Sequence, residues 1–201
     1  MSNFWMKGVT LSFNRRILPK DSDDFFPTPP WAVQVLLHYE KFKGDIFEPA
    51  CGTGNISEVL IKNKYKVISN DLIDRGYGDF HKDYLELKFC VDNVVTNPPY
   101  NKANLFVLHA LKFSKNKVAM LLRLSFLEGA TRYNDIYSKF PPTRIYVFSK
   151  RVTFMPESIK GNSGSGPTAY AWFIWDKNRK CKAPEIRWIE PFVIDECKKN
   201  G

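Results

Sequence analysis

The strand-forming residues Val94-Val95-Thr96 are followed at once by Asn97-Pro98-Pro99-Tyr100. Because each proline lacks an N–H group and has a fixed φ, the prolines cannot continue a strand. The chain must therefore leave the sheet at the carboxyl end of this strand, which is the edge where open α/β sheets bind their ligands. This feature favours a fold in which a buried strand ends at a polar turn that carries an aromatic ring.

The groups in this turn suit a planar ligand with an exocyclic amine. Asn97 offers a side-chain carbonyl, Pro98 a backbone carbonyl and Tyr100 an aromatic face. Two acceptors beside a stacking surface match the amino group and the ring of a nucleobase. Taken alone, the motif is equally compatible with a proline-rich turn that only closes a strand.

A second motif lies upstream, where a short apolar strand at 45–47 leads into Glu48-Pro49-Ala50-Cys51-Gly52-Thr53-Gly54. The glycines of this turn can take positive φ and let a ligand approach the backbone closely. A helix over 56–63 follows, and its first N–H groups are available to a ligand. The third glycine of a dinucleotide fingerprint is missing, which argues against a pyrophosphate ligand.

The strand after this helix, 66–70, ends at Asp71. In such units an acid at the end of the second strand holds the hydroxyl groups of a ribose. A lone acid such as Asp71 or Glu48 is more often a loop charge or a cap. The full order of strand, glycine turn, helix, strand and acid is more specific, and it predicts a ligand that contains a nucleoside.

Hydrophobic spacing predicts the remaining elements, which are helices over 31–41, 103–114 and 130–139 and strands over 118–124, 144–149 and 170–175. Thr28 is a candidate N-cap for the first helix. Arg123 lies in an apolar strand and needs a partner, expected to be a carboxylate or a strand-end carbonyl. Alternating strands and helices predict an α/β fold of about seven strands.

Composition favours a polyanionic partner. Thirty Lys and Arg against 21 Asp and Glu give a net charge of +9, although many basic proteins bind no nucleic acid. No apolar run approaches the roughly 20 residues of a membrane span, and the N-terminus has no signal-peptide pattern. The four cysteines are widely scattered and show no metal-type spacing. We therefore expect a cytoplasmic protein with reduced thiols and no membrane contact.

The length of 201 residues suits a single α/β domain over 1–201. Residues 1–22 show no regular pattern and are interpreted as an N-terminal arm. Residues 157–168, rich in Gly, Ser and Asn, predict a mobile loop, and Arg151 and Lys160 make this region basic. Such a loop suits a substrate that must be enclosed, although many hairpins simply have loose tips.

Over residues 23–190 the chain resembles the S-adenosylmethionine-dependent adenine-N6 methyltransferases, most closely the small phage and prophage DNA methyltransferases. The motifs that carry the resemblance are Phe25-Phe26-Pro27-Thr28-Pro29, the Glu48–Gly54 turn, Asn70-Asp71-Leu72, Asp83-Tyr84-Leu85, Asn97-Pro98-Pro99-Tyr100 and the region 151–175. It implies a Rossmann-like class I methyltransferase fold, a seven-stranded, mostly parallel sheet with an antiparallel last strand and helices on both faces. It also implies S-adenosylmethionine as cofactor and, for a phage-encoded protein, the host cytoplasm.

The resemblance further implies which residues contact each part of the cofactor and the substrate. The methionine end would contact Thr28, Pro29, Glu48, Cys51 and Gly52. The nucleoside end would contact Asp71, Leu72, Asp83 and Tyr84. The catalytic turn would be Asn97-Pro98-Pro99-Tyr100, with Asn97 also bordering the cofactor. The substrate would contact Tyr100, Arg151 and Lys160.

In this turn Asn97 and the Pro98 carbonyl would accept hydrogen bonds from the target amine, and Tyr100 would stack on the base. An aromatic amine is a poor nucleophile because its lone pair is delocalised into the ring. Two acceptors on its hydrogens favour the pyramidal nitrogen that can attack a methyl group, so positioning and electrostatics supply the rate gain. The sulfonium leaves as a neutral thioether, and we expect no metal requirement.

DNA is the expected substrate, and several alternatives remain. The same type of motif serves methylation of bases in RNA and of a glutamine amide in proteins. The positive charge favours nucleic acid, and the resemblance favours DNA over RNA. A catalytically silent nucleic-acid-binding module is an alternative of another class. Since 201 residues leave no room for a separate target-recognition domain, specificity is either low or lies in the arm and the loop 157–168.

Overall fold

The computed structural model describes residues 26–154 and 168–200. Within them one sheet contains β1 (Ile46–Glu48), β2 (Val67–Asp71), β3 (Phe80–His81), β4 (Val91–Thr96), β5 (Ser114–Arg123), β6 (Arg144–Phe148), β7 (Tyr170–Asp176) and β8 (Glu185–Ile189). The strand order across the sheet is β3-β2-β1-β4-β5-β7-β6-β8. The predicted arm 1–22, Lys160 and the predicted loop, except residue 168, lie outside the described residues.

The mostly parallel sheet is confirmed, with one difference from the expected pattern. The sheet has eight strands rather than seven. The strand predicted as the last, 170–175, is β7, and it is antiparallel to both β5 and β6 as expected, whereas the additional strand β8 follows it in sequence and runs parallel to β6. Sequence analysis identified neither β3 nor β8, because β3 has only two residues and β8 is an edge strand whose residues are mostly exposed.

Helices cover both faces of the sheet, as expected. They are α1 (Pro30–Tyr39), α2 (Asn55–Lys62), α3 (Ala103–Phe113), α4 (Ala130–Arg132) and α5 (Pro191–Asn200). The first, second and fifth cover one face, and α3 covers the other together with the segment around Ile136. A π-helical stretch, Tyr133–Tyr137, continues α4 through the predicted helix 130–139. None of the helices in the described ranges is long and apolar enough to cross a membrane.

The start of α1 differs from the predicted cap. Pro30 is the first helical residue and Pro29 precedes it in an extended conformation, without a side-chain cap. Thr28 is therefore not the N-cap, and its hydroxyl oxygen instead lies 3.1 Å from the side-chain amide nitrogen of Asn97. Trp172, buried on β7, donates a hydrogen bond of 2.8 Å to the carbonyl of Ala32. These two contacts hold the segment before α1, and the first turn of α1, against the sheet.

An ion-pair network ties the end of α1 to the sheet. The guanidinium of Arg144 donates to the carboxylates of Glu40 and Asp176, and the ammonium of Lys117 lies 2.7 Å from Glu40. Tyr146 donates a further hydrogen bond of 2.8 Å to Glu40. Burial would raise the pKa of Glu40, but the hydrogen bonds from Arg144, Lys117 and Tyr146 outweigh it and lower this pKa. The paired carboxylate can therefore stay ionised in the core.

Candidate active site

A cavity of about 610 Å³ opens where β1, β2 and β4 end. These strands are neighbours and parallel, so the residues at their carboxyl ends converge. Of the predicted site residues, those lining the cavity are Thr28, Glu48, Cys51, Asp71, Leu72, Asp83, Tyr84, Asn97, Pro98, Pro99 and Tyr100. Pro29, Gly52 and Arg151 are not among the lining residues. The structure thus brings together side chains spread over more than 70 positions of sequence.

Asp71 is held in place by the glycine turn. Its Oδ2 accepts a hydrogen bond of 2.8 Å from the N–H of Gly52, and its Oδ1 accepts one of 3.0 Å from the N–H of Ile73. Gly52 therefore acts on this site through the carboxylate that it binds. Each carboxylate oxygen has a second lone pair, so Asp71 keeps acceptor capacity for a pair of ligand hydroxyl groups.

The second glycine of the turn has a different use from the expected one. Gly52 and Gly54 both have positive φ, 54° and 84°, as the motif requires. A Cβ atom at Gly54 would lie 2.5 Å from the ring of Tyr77. Because Gly54 has no Cβ, the ring of Tyr77 can pack against its backbone. The sequence predicted that a ligand would approach the backbone at this position.

Glu48 is a buried carboxyl at the end of β1. It is 1% exposed, and the hydroxyl of Ser57 donates a hydrogen bond to it. Burial, reinforced by the nearby charge of Asp71, raises the pKa of Glu48 to about 8. Burial and the charges of Glu48 and Asp71 also raise the pKa of Cys51 to about 12, so Cys51 is a neutral thiol at physiological pH.

The far end of the cavity is formed by Leu72, Asp83 and Tyr84. Leu72 lines the cavity and is 56% exposed, so its side chain is accessible to cover a planar ligand. The Oδ1 of Asp83 accepts a 2.9 Å hydrogen bond from the N–H of Leu85, which fixes the carboxylate. The ring of Tyr84 is buried against Phe106, with 4.9 Å between ring centroids.

His109 is not part of the cavity lining. Its Nε2 lies 2.8 Å from the carbonyl oxygen of Leu87, and its ring packs against Tyr84. These contacts are those of a satisfied helix histidine, and they do not place the His109 ring against a ligand in the cavity.

The side-chain amide of Asn97 has two unlike sides. Its Nδ2 lies 3.1 Å from the carbonyl oxygen of Phe26 and 3.1 Å from the Oγ1 of Thr28, so both N–H groups are used. Its Oδ1 is buried and accepts no hydrogen bond within the described part of the chain. A buried polar atom left without a partner is costly, and Asn97 belongs to the cavity lining, so its Oδ1 is a candidate acceptor for a ligand donor.

Tyr100 lies in a cluster of aromatic rings and meets a cation. The ring of Phe26 stacks on it at 5.9 Å between centroids and 25° between planes, and Tyr170 lies at 5.8 Å. The guanidinium of Arg123 lies 4.5 Å from the centroid of the Tyr100 ring. The partner expected for Arg123 was a carboxylate or a strand-end carbonyl. Arg123 instead makes this cation–π interaction with Tyr100 at the exposed end of β5. Burial raises the pKa of Tyr100, so its phenol is neutral.

Several lining residues were not singled out from the sequence. They are Pro27, Asn55, Ile56, Ile73, Arg75, Asn101, Lys102 and Phe106. Phe26 also lines the cavity and contributes its backbone carbonyl, a group that every residue type carries. Arg75 lies in the loop after β2, where no sequence motif marks it as a site residue.

The chain was compared with known proteins. No family model matches the sequence, and no curated protein matches it. A modification subunit of a putative type I restriction enzyme from Vibrio vulnificus YJ016 is similar in structure, with a TM-score of 0.59 and 15% identity over 90% of this chain. This chain spans about half of that protein, 53% of its length.

Two other solved structures are similar. A putative class I S-adenosylmethionine-dependent methyltransferase from Listeria monocytogenes has a TM-score of 0.57 and 15% identity over 86% of this chain and 70% of its own. A putative RNA methyltransferase from Pyrococcus horikoshii has a TM-score of 0.53 and 16% identity over 73% of this chain and 81% of its own. The described residues therefore have the α/β fold of class I S-adenosylmethionine-dependent methyltransferases.

Proposed function

We propose that the protein is an S-adenosylmethionine-dependent methyltransferase that acts on the exocyclic amino group of adenine in DNA. The side-chain amide of Asn97, a residue of the cavity lining whose Oδ1 is buried and accepts no hydrogen bond within the described residues, carries this proposal. Both N–H groups of this amide are bound within the fold, and its Oδ1 suits a substrate that presents an N–H group. Among common methyl acceptors, an aromatic amine beside the ring of Tyr100 fits this requirement.

The residues of the cavity fit the cofactor. Its volume of about 610 Å³ lies in the range of small-molecule sites, roughly 300–1,000 Å³. Asp71 would hold the ribose hydroxyl groups, Leu72 would cover the adenine ring and Asp83 would accept its amino group. Glu48 would lie at the amino-acid end. When bound, S-adenosylmethionine supplies an electrophilic methyl group on its sulfonium.

A cofactor-binding role for Asp71 makes a direct prediction. Asp71→Ala is expected to weaken S-adenosylmethionine binding by about 100-fold, because it removes the acceptor of two hydroxyl groups and frees the N–H of Gly52 that shapes the turn. Isothermal titration of wild-type and variant protein measures this loss. Asp74→Ala, which removes an exposed carboxylate from the following loop, is the matched control.

An Asp71→Ala protein that binds S-adenosylmethionine as tightly as Asp74→Ala would contradict the proposal that the carboxylate at the end of β2 binds the ribose hydroxyl groups. Circular dichroism and the melting temperature of each variant show whether a loss of affinity reflects unfolding.

The catalytic steps assigned to this chain are binding, orientation and charge stabilisation. The Oδ1 of Asn97 and the carbonyl of Pro98 would each accept one hydrogen of the target amine. The Pro99 carbonyl accepts instead from the N–H of Lys102 at 3.0 Å, which leaves the Pro98 carbonyl as the second acceptor of the turn. As the nitrogen attacks, positive charge develops on it, and acceptors that are already in place stabilise this charge without reorganising.

DNA is proposed as the substrate on three grounds. The chain has a net charge of +9, and exposed cations Lys102, Arg123 and Arg151 lie on the turn after Pro99, at the end of β5 and after β6. The stacking surface at Tyr100 suits a base that has left the duplex. The structurally similar Vibrio protein is a modification subunit of a putative type I restriction enzyme.

RNA is the second candidate substrate, favoured by the similarity to the Pyrococcus RNA methyltransferase. A glutamine amide of a protein also presents an N–H group to Asn97, but it gives Tyr100 no ring to stack on. A silent binding module would have no use for the unpartnered Oδ1 of Asn97.

The proposed reaction is tested by transfer of labelled methyl from S-adenosylmethionine to duplex DNA, single-stranded DNA, RNA and a protein extract. Digestion of the labelled product to nucleosides identifies the modified atom. We expect label in DNA as N6-methyladenine, and labelling about 10²–10³-fold slower with Asn97→Ala. Label in RNA or protein alone would contradict DNA as the substrate but would leave the proposed active site standing. Failure to bind S-adenosylmethionine would contradict the proposal that the protein is a methyltransferase.

A further inference from the structure

The segment before α1 reaches across the sheet edge to the amide of Asn97. Thr28 Oγ1 and the carbonyl of Phe26 both lie 3.1 Å from the Nδ2 atom, across about 70 positions of sequence. Thr28 is 3% exposed, so its hydroxyl is held in a packed environment rather than in solvent. Two acceptors on one nitrogen leave each N–H of the amide bound.

This arrangement decides which way the amide of Asn97 points. A side-chain amide can rotate by half a turn about its last bond, which exchanges the oxygen and the nitrogen. In the rotated form the oxygen would face the Phe26 carbonyl and the Thr28 oxygen, and an N–H would take the present place of Oδ1. An N–H in that position would oppose the hydrogens of a target amine and could not accept from them.

We infer that Thr28, with the Phe26 carbonyl, is the positioning residue that holds Asn97 with its Oδ1 toward the substrate. This inference rests on the proposed function for its catalytic consequence, and the hydrogen bonds themselves are independent of it. It gives Thr28 a role different from the contact with the methionine end that the sequence resemblance implies. A cofactor contact acts on the affinity for S-adenosylmethionine, whereas a positioning role acts on kcat.

The test compares Thr28→Val, which keeps the shape and removes the hydroxyl, with Thr28→Ser, which keeps the hydroxyl. Thr143→Val is the matched control, because Thr143 is equally buried and its hydroxyl donates to the Ile174 carbonyl at the opposite edge of the sheet. We expect Thr28→Val to lower kcat about tenfold, the effect of losing one hydrogen bond, with the Kd for S-adenosylmethionine unchanged. Thr28→Ser should restore kcat, and Thr143→Val should leave it unaltered.

A second measurement does not depend on catalysis. In protein labelled with ¹⁵N-asparagine, the side-chain amide signal of Asn97 is identified by its loss in Asn97→Ala. We expect its hydrogen exchange to be protected in wild type and Thr28→Ser, and about tenfold faster in Thr28→Val. If Thr28→Val fails to fold, Thr28→Ala serves in its place.

The outcomes separate the inference from the proposed function. Unchanged exchange and unchanged kcat in Thr28→Val would overturn the positioning role, as would a Thr28→Ser protein that behaves like Thr28→Val. A higher Kd for S-adenosylmethionine with a normal kcat would show that Thr28 contacts the cofactor instead of positioning Asn97. If wild type methylates no acceptor, the proposed function fails, and the exchange measurement still decides whether Thr28 orients Asn97.

Discussion

Asn97→Ala is expected to lower kcat by about 10²–10³-fold, because it removes an acceptor that stabilises the charge developing on the attacking nitrogen. The Kd for S-adenosylmethionine should change little, since Asp71 and Leu72 are proposed to bind the nucleoside part. Single-turnover transfer at saturating cofactor and substrate measures the chemical step. Asn178→Ala, which removes an exposed amide from the turn after β7, is the matched control.

The expected loss is larger than that of Thr28→Val because the two changes remove different things. Thr28→Val leaves Oδ1 in the protein and only loosens its orientation, whereas Asn97→Ala removes the acceptor and leaves a gap in the catalytic turn. An Asn97→Ala enzyme with wild-type kcat would contradict the mechanism. If the variant instead loses cofactor binding but keeps its single-turnover rate, the role of Asn97 is to bind the cofactor rather than to act in the chemical step.

The relation between sequence and structure is clearest at the ends of the strands. Asp71 and Asn97 could be placed at one edge because each follows a predicted buried strand, and parallel strands bring their carboxyl ends together. The glycine turn supplied the local conformation, which the positive φ of Gly52 and Gly54 confirms. Local pattern therefore predicted the α/β fold, the family resemblance implied the mostly parallel sheet, and the structure shows the predicted acids and the Asn97 turn lining one cavity.

Two features that sequence missed depend on contacts between distant segments, and a third lacks a local pattern. Thr28 has the residue type and sequence position of an N-cap. Only the packing of the segment before α1 shows that its hydroxyl oxygen accepts a hydrogen bond from the side-chain amide of Asn97. Arg123 needed a partner, but sequence offered no reason to choose the Tyr100 ring over a carboxylate. The edge strand β8 lacks a strong pattern, because Ile186 and Trp188 remain exposed.

Glu48 makes a prediction about stability that does not require any substrate. Its pKa is raised from 4.5 to about 8, chiefly by burial, so the folded protein keeps this proton over a range in which the unfolded chain releases it. The contribution of Glu48 to stability is therefore largest below about pH 4.5 and is lost as the pH rises to about 8. A shift of this size corresponds to about 5 kcal/mol at most.

Glu48→Gln is accordingly expected to remove this pH dependence, since glutamine resembles the protonated acid at every pH. The difference in unfolding free energy, wild type minus variant, should fall steadily between pH 5 and pH 8, and the variant should be the more stable protein at pH 8. Urea unfolding without ligand at several pH values measures the difference. Glu58→Gln, which removes an exposed carboxylate of α2, is the control and should change stability little at any pH.

A difference that stays constant with pH would mean that Glu48 is already ionised in the folded protein. The hydrogen bond from Ser57 would then outweigh the burial of the carboxyl, because a donor to the charged form lowers the pKa. The two results also have different consequences for the proposed cofactor. A neutral Glu48 must release its proton to face a cation, so binding of S-adenosylmethionine below pH 8 would release a proton to the buffer. An ionised Glu48 would bind the same cation with no such release.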